Sequence, residues 1–286
     1  MRTVGLLVNR EKPHADEVSS LVESLLSQNG VSTVRTNIGR GTRYSDVTDQ
    51  LPPSCEMAVV FGGDGTLLGV ARGLATLQIP ILGVNLGHLG FLAQSEATDV
   101  EETVRRVVDK DYDVERRLML EATVVREGHV VQSLGALNDA GVAKGSFTRM
   151  VTLELYVDDM YVDTYSGDGL IASTPTGSTA YSLSCGGPIL SPQLNVMVIT
   201  PICPHTMFSR PIVIDERQEI KVVVHATHDD LALTIDGQVG IRLHAGDVVR
   251  IKRSPNDTLL VKWRDSEFFS VLRAKLRGYE SSVRSL

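Results

Sequence analysis

The chain has 286 residues, 42% of them hydrophobic and 22% charged, with 25 Gly and 11 Pro, a length and balance that support one large core or two medium ones and exclude a disulfide-stapled miniature or a wholly disordered chain. Lys and Arg number 28 against 35 Asp and Glu, a formal charge of −7, which is the wrong sign for a protein held to a phosphate backbone by counterion release, so no nucleic-acid partner is expected. The 3 cysteines, Cys55, Cys185 and Cys203, stand far apart without a C-x-x-C, which excludes a disulfide framework or zinc cluster and fits a reducing, cytoplasmic compartment.

Residues 3–8 are a short apolar run that reads as a first strand, too brief and too soon followed by Asn9-Arg10-Glu11-Lys12 to be a signal peptide. Ala15, Val18, Leu21, Val22, Leu25 and Leu26 then recur at helical spacing until Asn29-Gly30 supplies a C-cap. Residues 31–35 read as a second strand, and residues 57–61 as a buried third that runs straight into Gly62-Gly63-Asp64-Gly65-Thr66. Helical periodicity resumes at Leu67, Leu68, Ala71 and Leu74, and residues 80–84 form another strand. Thr98-x-x-Glu101 makes a capping box ahead of Val100, Val104, Val107 and Val108. Strands alternating with helices predict an α/β N-terminal domain with a parallel sheet of βαβ units over residues 1–110.

From Leu118 onward the runs are short and β-branched. Tight turn signals at Arg126-Glu127-Gly128-His129, Asp158-Asp159 and Ala245-Gly246-Asp247 predict hairpins. Residues 111–264 are therefore expected to form a β-rich C-terminal domain. Phe268, Phe269, Leu272 and Leu276 predict a closing amphipathic helix within 265–286, assigned to the first domain. The apolar runs stay far below the ~18 residues of a spanning helix, so no membrane partner is expected.

Residues 59–66 place three glycines around one carboxylate between a buried strand and a helix start. Glycine lets the backbone approach a ligand closely, and the helix N-terminus, with Thr66 as its expected cap, offers N–H groups to an anion. An ionised Asp64 is acceptor-only, so beside phosphate it must hold a metal or accept from a hydroxyl, the combination that phosphoryl transfer to an alcohol requires. A tight Asp-Gly turn that merely links strand to helix fits the same residues. A second concentration spans residues 166–181, where hydroxyl side chains at Ser173, Thr174, Thr176, Ser178 and Thr179 are interrupted by Pro175 and Gly177. A rigid turn of this kind can line a polar pocket, or be a Ser/Thr-rich surface loop. Gly167-x-Gly169-x-x-Ala172 formally matches a dinucleotide fingerprint, but Ser-Thr-Pro follows where a helix should begin.

Asn138-Asp139 has the amide edge to read adenine and a carboxylate for ribose hydroxyls, although Asn-Asp also marks ordinary turns. Asp236-Gly237-Gln238 carries the same two readings. His88 and His205 are ligands, bases or structural histidines.

In this order the motifs resemble those of the NAD kinase family. The resemblance rests on Gly62-Gly63-Asp64-Gly65-Thr66, residues 83–92 (Gly-Val-Asn-Leu-Gly-His-Leu-Gly-Phe-Leu), Asn138-Asp139, and Gly167-Asp168-Gly169 through Thr176-Gly177-Ser178-Thr179-Ala180-Tyr181-Ser182. Pro204-His205-Thr206, Arg210-Pro211 and Asp236-Gly237-Gln238 extend it. The glycine-rich Asp element is shared with lipid and sugar kinases, and the Thr-Pro-Thr-Gly-Ser-Thr-Ala-Tyr stretch narrows the choice. The resemblance implies transfer of the γ-phosphoryl group of ATP to the 2′-hydroxyl of NAD's adenosine ribose, with Mg²⁺ or another divalent cation on the triphosphate. Asp64 is then the general base or orienter, while Gly63, Gly65 and Thr66 frame phosphates. Thr176, Thr179, Ala180 and Tyr181 line the dinucleotide pocket, with Asn138 on the adenine and Asp139 on the ribose, and Phe91 and Gln238 are further cofactor-binding residues. Asp168 and Asp236 lie toward the nicotinamide half. The family pair is usually Asn-Glu, so Asp139 withdraws its carboxylate by one methylene. A homodimer or homotetramer is implied as well. The rival readings are a lipid or sugar kinase sharing the glycine element, and a non-enzymatic sensor of NAD or NADP.

Overall fold

A strand that is apolar on both faces needs cover from both sides of its sheet, which parallel strands with crossover helices provide. In the computed structural model, which describes residues 2–39, 41–42, 47–87, 90–145, 150–205, 209–225 and 230–283, β1 (Thr3–Asn9) and β3 (Cys55–Phe61) are of this kind, buried along nearly their whole length. β1 pairs in parallel with β3 and with β2 (Ser32–Ile38). β4 (Ile81–Asn85) pairs in parallel with β3 and with the two-residue β5 (Ser95–Glu96). Helices Ala15–Gln28 and Val100–Asp109 bury Val22, Leu26, Val104 and Val107 in one core with Leu6, Val59 and Leu82.

The first helix ends as expected, with Asn29 as C-cap and Gly30 at φ 73°. The second departs from expectation. Its N-cap is Asp99, no side chain caps it, and Thr98 Oγ1 donates to Asp99 Oδ1 at 3.3 Å instead of forming a capping box. The turn Ala97–Asp99 is 3₁₀, which carries Thr98 ahead of the capping position.

Along the sheet the order runs β2-β1-β3-β4 and continues through β19 (Thr258–Lys262) to β6 (Asp113–Arg117). Succession reverses between β1 and β3, the switch point outside whose carboxyl ends open α/β sheets bind ligands. Because β6 and β19 join this sheet, the compact units are Met1–Arg116 with Leu259–Leu286, and Arg117–Thr258, rather than breaking at 110 and 265. The helix Phe268–Val283 belongs to the first unit, with Phe269 and Leu276 exposed.

In the second unit, β7 (Leu120–Arg126), β8 (His129–Ala136), β9 (Asp139–Lys144), β10 (Val151–Val157), β11 (Met160–Gly167) and β12 (Gly169–Ser173) are followed by β13 (Val196–Ile202), β14 (Ile212–Asp215), β15 (Ile220–His225), β16 (Leu231–Ile235), β17 (Val239–Arg242) and β18 (Val248–Arg253). They form two six-stranded sheets, ordered β11-β10-β15-β18-β7-β8 and β14-β13-β12-β9-β16-β17. Burial alternates residue by residue along β7, β10 and β16. That is the pattern of antiparallel strands with one face inward, and the inward residues, Leu120, Leu155, Val142, Leu170 and Leu233 among them, share one core.

Two predicted hairpins are present: Glu127-Gly128 and Asp158-Asp159 are two-residue turns with positive φ at both positions, which matches the twist of the strands they join. Ala245-Gly246-Asp247 is not a hairpin. It links β17 to β18, which lie in different sheets, and Gly246 takes φ 87° to make the crossing. Asp247 fastens this crossing. Its carboxylate, 1% exposed, accepts from Arg126 Nε at 2.8 Å and Nη2 at 2.7 Å, and from the His244 N–H at 2.8 Å. Among the described residues no helix is long and apolar enough to cross a membrane. Asp247→Ala is expected to lower the unfolding free energy in urea by about 2–3 kcal/mol, because three charge-assisted hydrogen bonds go at once.

Candidate active site

Leaving β3, the chain turns through Gly62 and Gly63 at the carboxyl edge of the parallel sheet. Gly62 N–H donates to the Val84 carbonyl at 3.1 Å, and a Cβ on Gly62 would stand 2.6 Å from Thr66 Oγ1, so only glycine fits. Gly63 is the N-cap of the helix Asp64–Leu74, without a side-chain cap. Thr66, expected in that role, lies inside the first turn, where its hydroxyl accepts from Asn9 Nδ2 at 2.9 Å and ties the end of β1 to the helix. Gly65 is exposed.

Asp64, half-buried, turns its carboxylate back to the segment after β4. The N–H of Phe91 donates to Oδ2 at 2.8 Å and that of Leu92 to Oδ1 at 3.3 Å. A Cβ on Gly90 would run into this carboxylate, so Gly90 is needed for Asp64 to sit where it does. Two N–H donors and the helix N-terminus fix the orientation of the anion, and each oxygen keeps lone-pair capacity for a hydroxyl. Gly90 did not stand out as a site residue in the sequence; its signal was the glycine repetition of residues 83–92. His88 and Thr206 lie outside the described residues.

In the second unit Asn138, Asp139, Asp236 and the residues 173–178 gather around the junction between β8 and β9, whereas Asp168 lies at the other end of β9, beside Lys144. Asn138 is half-buried, and its carbonyl accepts from Thr174 N–H at 2.9 Å and Ser173 Oγ at 3.2 Å. A Cβ on Gly177 would collide with that carbonyl. Thr174 Oγ1 donates to the Leu137 carbonyl at 2.6 Å and accepts from Gly177 N–H at 3.0 Å. Ser178 Oγ donates to the Pro175 carbonyl at 2.7 Å. These three hydroxyls, read from sequence as pocket donors, are fully buried and hold the turn itself. Thr176 is buried too and accepts from Nη1 of the buried Arg117 at 3.3 Å, a partner with no local signal in the sequence. Thr179 and Ala180 are half-buried and Tyr181 is 50% exposed, so the accessible surface of the motif is its far end.

Asp236 and Gly237, at φ 50° and 63°, form the turn between β16 and β17, and Gln238 follows, exposed. The Asp236 carboxylate is buried, and it takes three backbone donors: Asn138 N–H at 2.7 Å, Asp139 N–H at 3.2 Å and Leu137 N–H at 3.3 Å. It is thus engaged in shaping the Asn138 turn. Asp168 pairs with Lys144 Nζ at 2.8 Å. His205 is exposed, and its backbone N–H donates to the Ser166 carbonyl at 2.9 Å.

Among the described residues no group of three or more His, Cys, Asp or Glu is arranged to hold a metal ion. Mg²⁺ in phosphoryl-transfer sites is held largely by phosphate oxygens and water with one or two carboxylates, so this donor set is compatible with an ion that arrives with its nucleotide.

Burial, and then the neighbouring Asp236 charge, push the Asp139 carboxyl up to about 7. Between the ordinary carboxylate range and that value the folded protein keeps a proton that the unfolded chain has released. Stability contributed by neutral Asp139 is therefore complete below about pH 4 and is lost as pH rises through 7. In the unliganded protein, Asp139→Asn is expected to match wild type at pH 4 and to be more stable by about 2–4 kcal/mol at pH 8, read as the difference in thermal unfolding at the two pH values.

Known proteins share this architecture and sequence. The family model described as the ATP-NAD kinase N-terminal domain matches residues 4–112, and that of the ATP-NAD kinase C-terminal domain matches residues 137–263. An NAD kinase of Moorella thermoacetica is 44% identical over 280 residues, covering 97% of this chain and 90% of that protein. One from Natranaerobius thermophilus is 42% identical over 282 residues, covering 97% and 99%. Among solved structures, an NAD kinase from Archaeoglobus fulgidus in complex with ATP superposes with a TM-score of 0.76 at 25% identity, over 97% of this chain and 99% of that one. With both halves matched by the family's domains and full-length relatives above 40% identity, the chain belongs to the NAD kinase family.

Proposed function

We propose that this protein transfers the γ-phosphoryl group of ATP to the 2′-hydroxyl of the adenosine ribose of NAD, giving NADP, with Asp64 as the group that takes the hydroxyl proton. The observation that carries the assignment is the Asp64 carboxylate, held by the Phe91 and Leu92 N–H groups at the start of a helix that follows a glycine turn. Phosphoryl transfer asks a protein for positioning and charge neutralisation more than for covalent chemistry. A carboxylate fixed at both oxygens holds the attacking hydroxyl in line and accepts its proton as the O–P bond forms.

Gly63, Gly65 and Thr66 frame the phosphates, and Phe91 is a further cofactor-binding residue. A divalent cation bound with the triphosphate would supply charge neutralisation, held by phosphate oxygens and water. Asn138 reads the adenine edge and Asp139 meets the ribose. Asp139 is 5% exposed beside a like charge, a setting in which a ribose hydroxyl donor relieves the cost of the anion. Thr176, Thr179, Ala180 and Tyr181 line the dinucleotide pocket, with the last three supplying its accessible edge. Asp168 serves the nicotinamide half, and Gln238 is a further dinucleotide-binding residue. Asp236 is better assigned as a positioning residue, since its carboxylate is engaged by the three N–H groups around Asn138.

The same reading places the protein in the cytoplasm as a homodimer or homotetramer. Three free cysteines fit the first, and exposed Met160, Tyr161 and Val162 on the edge strand β11 fit the second. The rival assignments, a lipid or sugar kinase and a non-enzymatic sensor, draw no support from the relatives, which are named as NAD kinases.

Asp64→Asn is expected to lower kcat by ~10²–10⁴ while NAD binding survives, measured with ATP, NAD and Mg²⁺ and an NADP-specific dehydrogenase as coupling enzyme. Asn138→Ala is expected mainly to raise the KM for NAD, through loss of an adenine contact worth ~1–3 kcal/mol.

A further inference from the structure

Asn85, the last residue of β4, is 3% exposed, and among the described residues its side-chain Nδ2 has no hydrogen-bond partner. Buried amides are nearly always satisfied, because an unpartnered donor forfeits its hydration without return. The place of Asn85 in the sheet supplies a reason for the exception. Phe61 stands abreast of Val84 in the β3–β4 register, and Gly62 N–H donates to the Val84 carbonyl at 3.1 Å, which sets Asn85 beside the Gly62–Gly63 turn. A Cβ on Gly63 would lie 3.8 Å from Asn85 Oδ1, so the amide group borders the turn, and a half-turn of the amide exchanges Oδ1 for the Nδ2 donor there. The helix Asp64–Leu74 begins at the same point without a side-chain cap, which brings the positive end of its dipole to the turn.

We infer that Asn85 is a phosphate-binding residue, its amide donating to a phosphoryl oxygen of the nucleotide seated on the Gly62–Gly63 turn. The inference rests on the kinase reading and adds to it a donor from β4 that supplements the helix N-terminus. A neutral amide adds a hydrogen bond there without a second charge beside the Asp64 carboxylate. Two sources offer the same chemistry, the triphosphate of ATP and the pyrophosphate of NAD.

Asn85→Leu and Asn85→Asp test the assignment, with KM values for ATP and NAD, calorimetric affinities for each, and the melting temperature of the unliganded protein. The expected result is a rise of about tenfold or more in the KM and dissociation constant of one nucleotide in Asn85→Leu, and a larger rise in Asn85→Asp, whose acceptor-only carboxylate repels phosphate. The nucleotide affected identifies the source of the phosphate. The unliganded Asn85→Leu protein is expected to melt at or above the wild-type temperature, since the donor removed had no partner to lose. Affinities and KM values within twofold of wild type in both variants would overturn the inference. So would a lowered melting temperature in Asn85→Leu with unchanged affinities, the signature of a purely structural amide. If Asn85→Leu fails to fold, the near-isosteric Asn85→Asp decides through its affinities. Wild-type protein that binds ATP and NAD yet forms no NADP would count against the kinase reading and leave the comparison of affinities intact.

Discussion

The first unit is organised around one demand, that the Asp64 carboxylate be held by backbone N–H groups where the chain leaves a parallel sheet. Phe91 and Leu92 supply those donors from the segment that follows β4, and they do so because β3 and β4 are neighbours whose carboxyl ends lie side by side. Gly90 makes the approach sterically possible, and Gly62 lets the first helical turn fold back over the strand end. Orientation is obtained here from main-chain donors, which cost little side-chain entropy to hold in place. The result is an anion whose direction is fixed while part of its acceptor capacity stays available.

The second unit uses the same device for a different end. Asp236 gathers three consecutive N–H groups and so dictates the shape of the Leu137–Asn138–Asp139 junction, while Ser173 and Thr174 hold the Asn138 and Leu137 carbonyls from the other side. Asn138 is thereby positioned from both edges of its peptide units. The arrangement also places a like charge near Asp139, in a setting already poor in water, and this is why the Asp139 carboxyl lies near neutrality rather than in the ordinary acid range. One buried carboxylate rigidifies the turn, and the other is left in need of a hydrogen-bond donor.

Much of the fold was legible in the chain itself. The period-3.6 pattern of residues 15–26, the apolar runs at residues 3–8 and 57–61, and the two-residue turns at Glu127-Gly128 and Asp158-Asp159 all follow local physics, and the structure has them. The turn at residues 245–247 misled because a glycine at positive φ serves a hairpin and a crossing between sheets equally well, and only strand pairing separates them. Thr66 and Thr98 misled for a related reason, since a hydroxyl near a helix start caps it only if the helix begins one residue after it.

By itself the sequence determined the α/β-then-β division, the glycine turn around Asp64, the Ser/Thr-rich motif and the family likeness, all carried by periodicity, turn chemistry and short motifs. Tertiary structure alone decided which groups those residues meet. Asp236 holds Asn138 across 98 positions of sequence, Arg117 reaches Thr176 across 59, and Asp64 finds Phe91 across 27. Such partnerships follow from strand order and from the burial of polar groups that must find a donor or acceptor somewhere, and neither is set by any local stretch of residues.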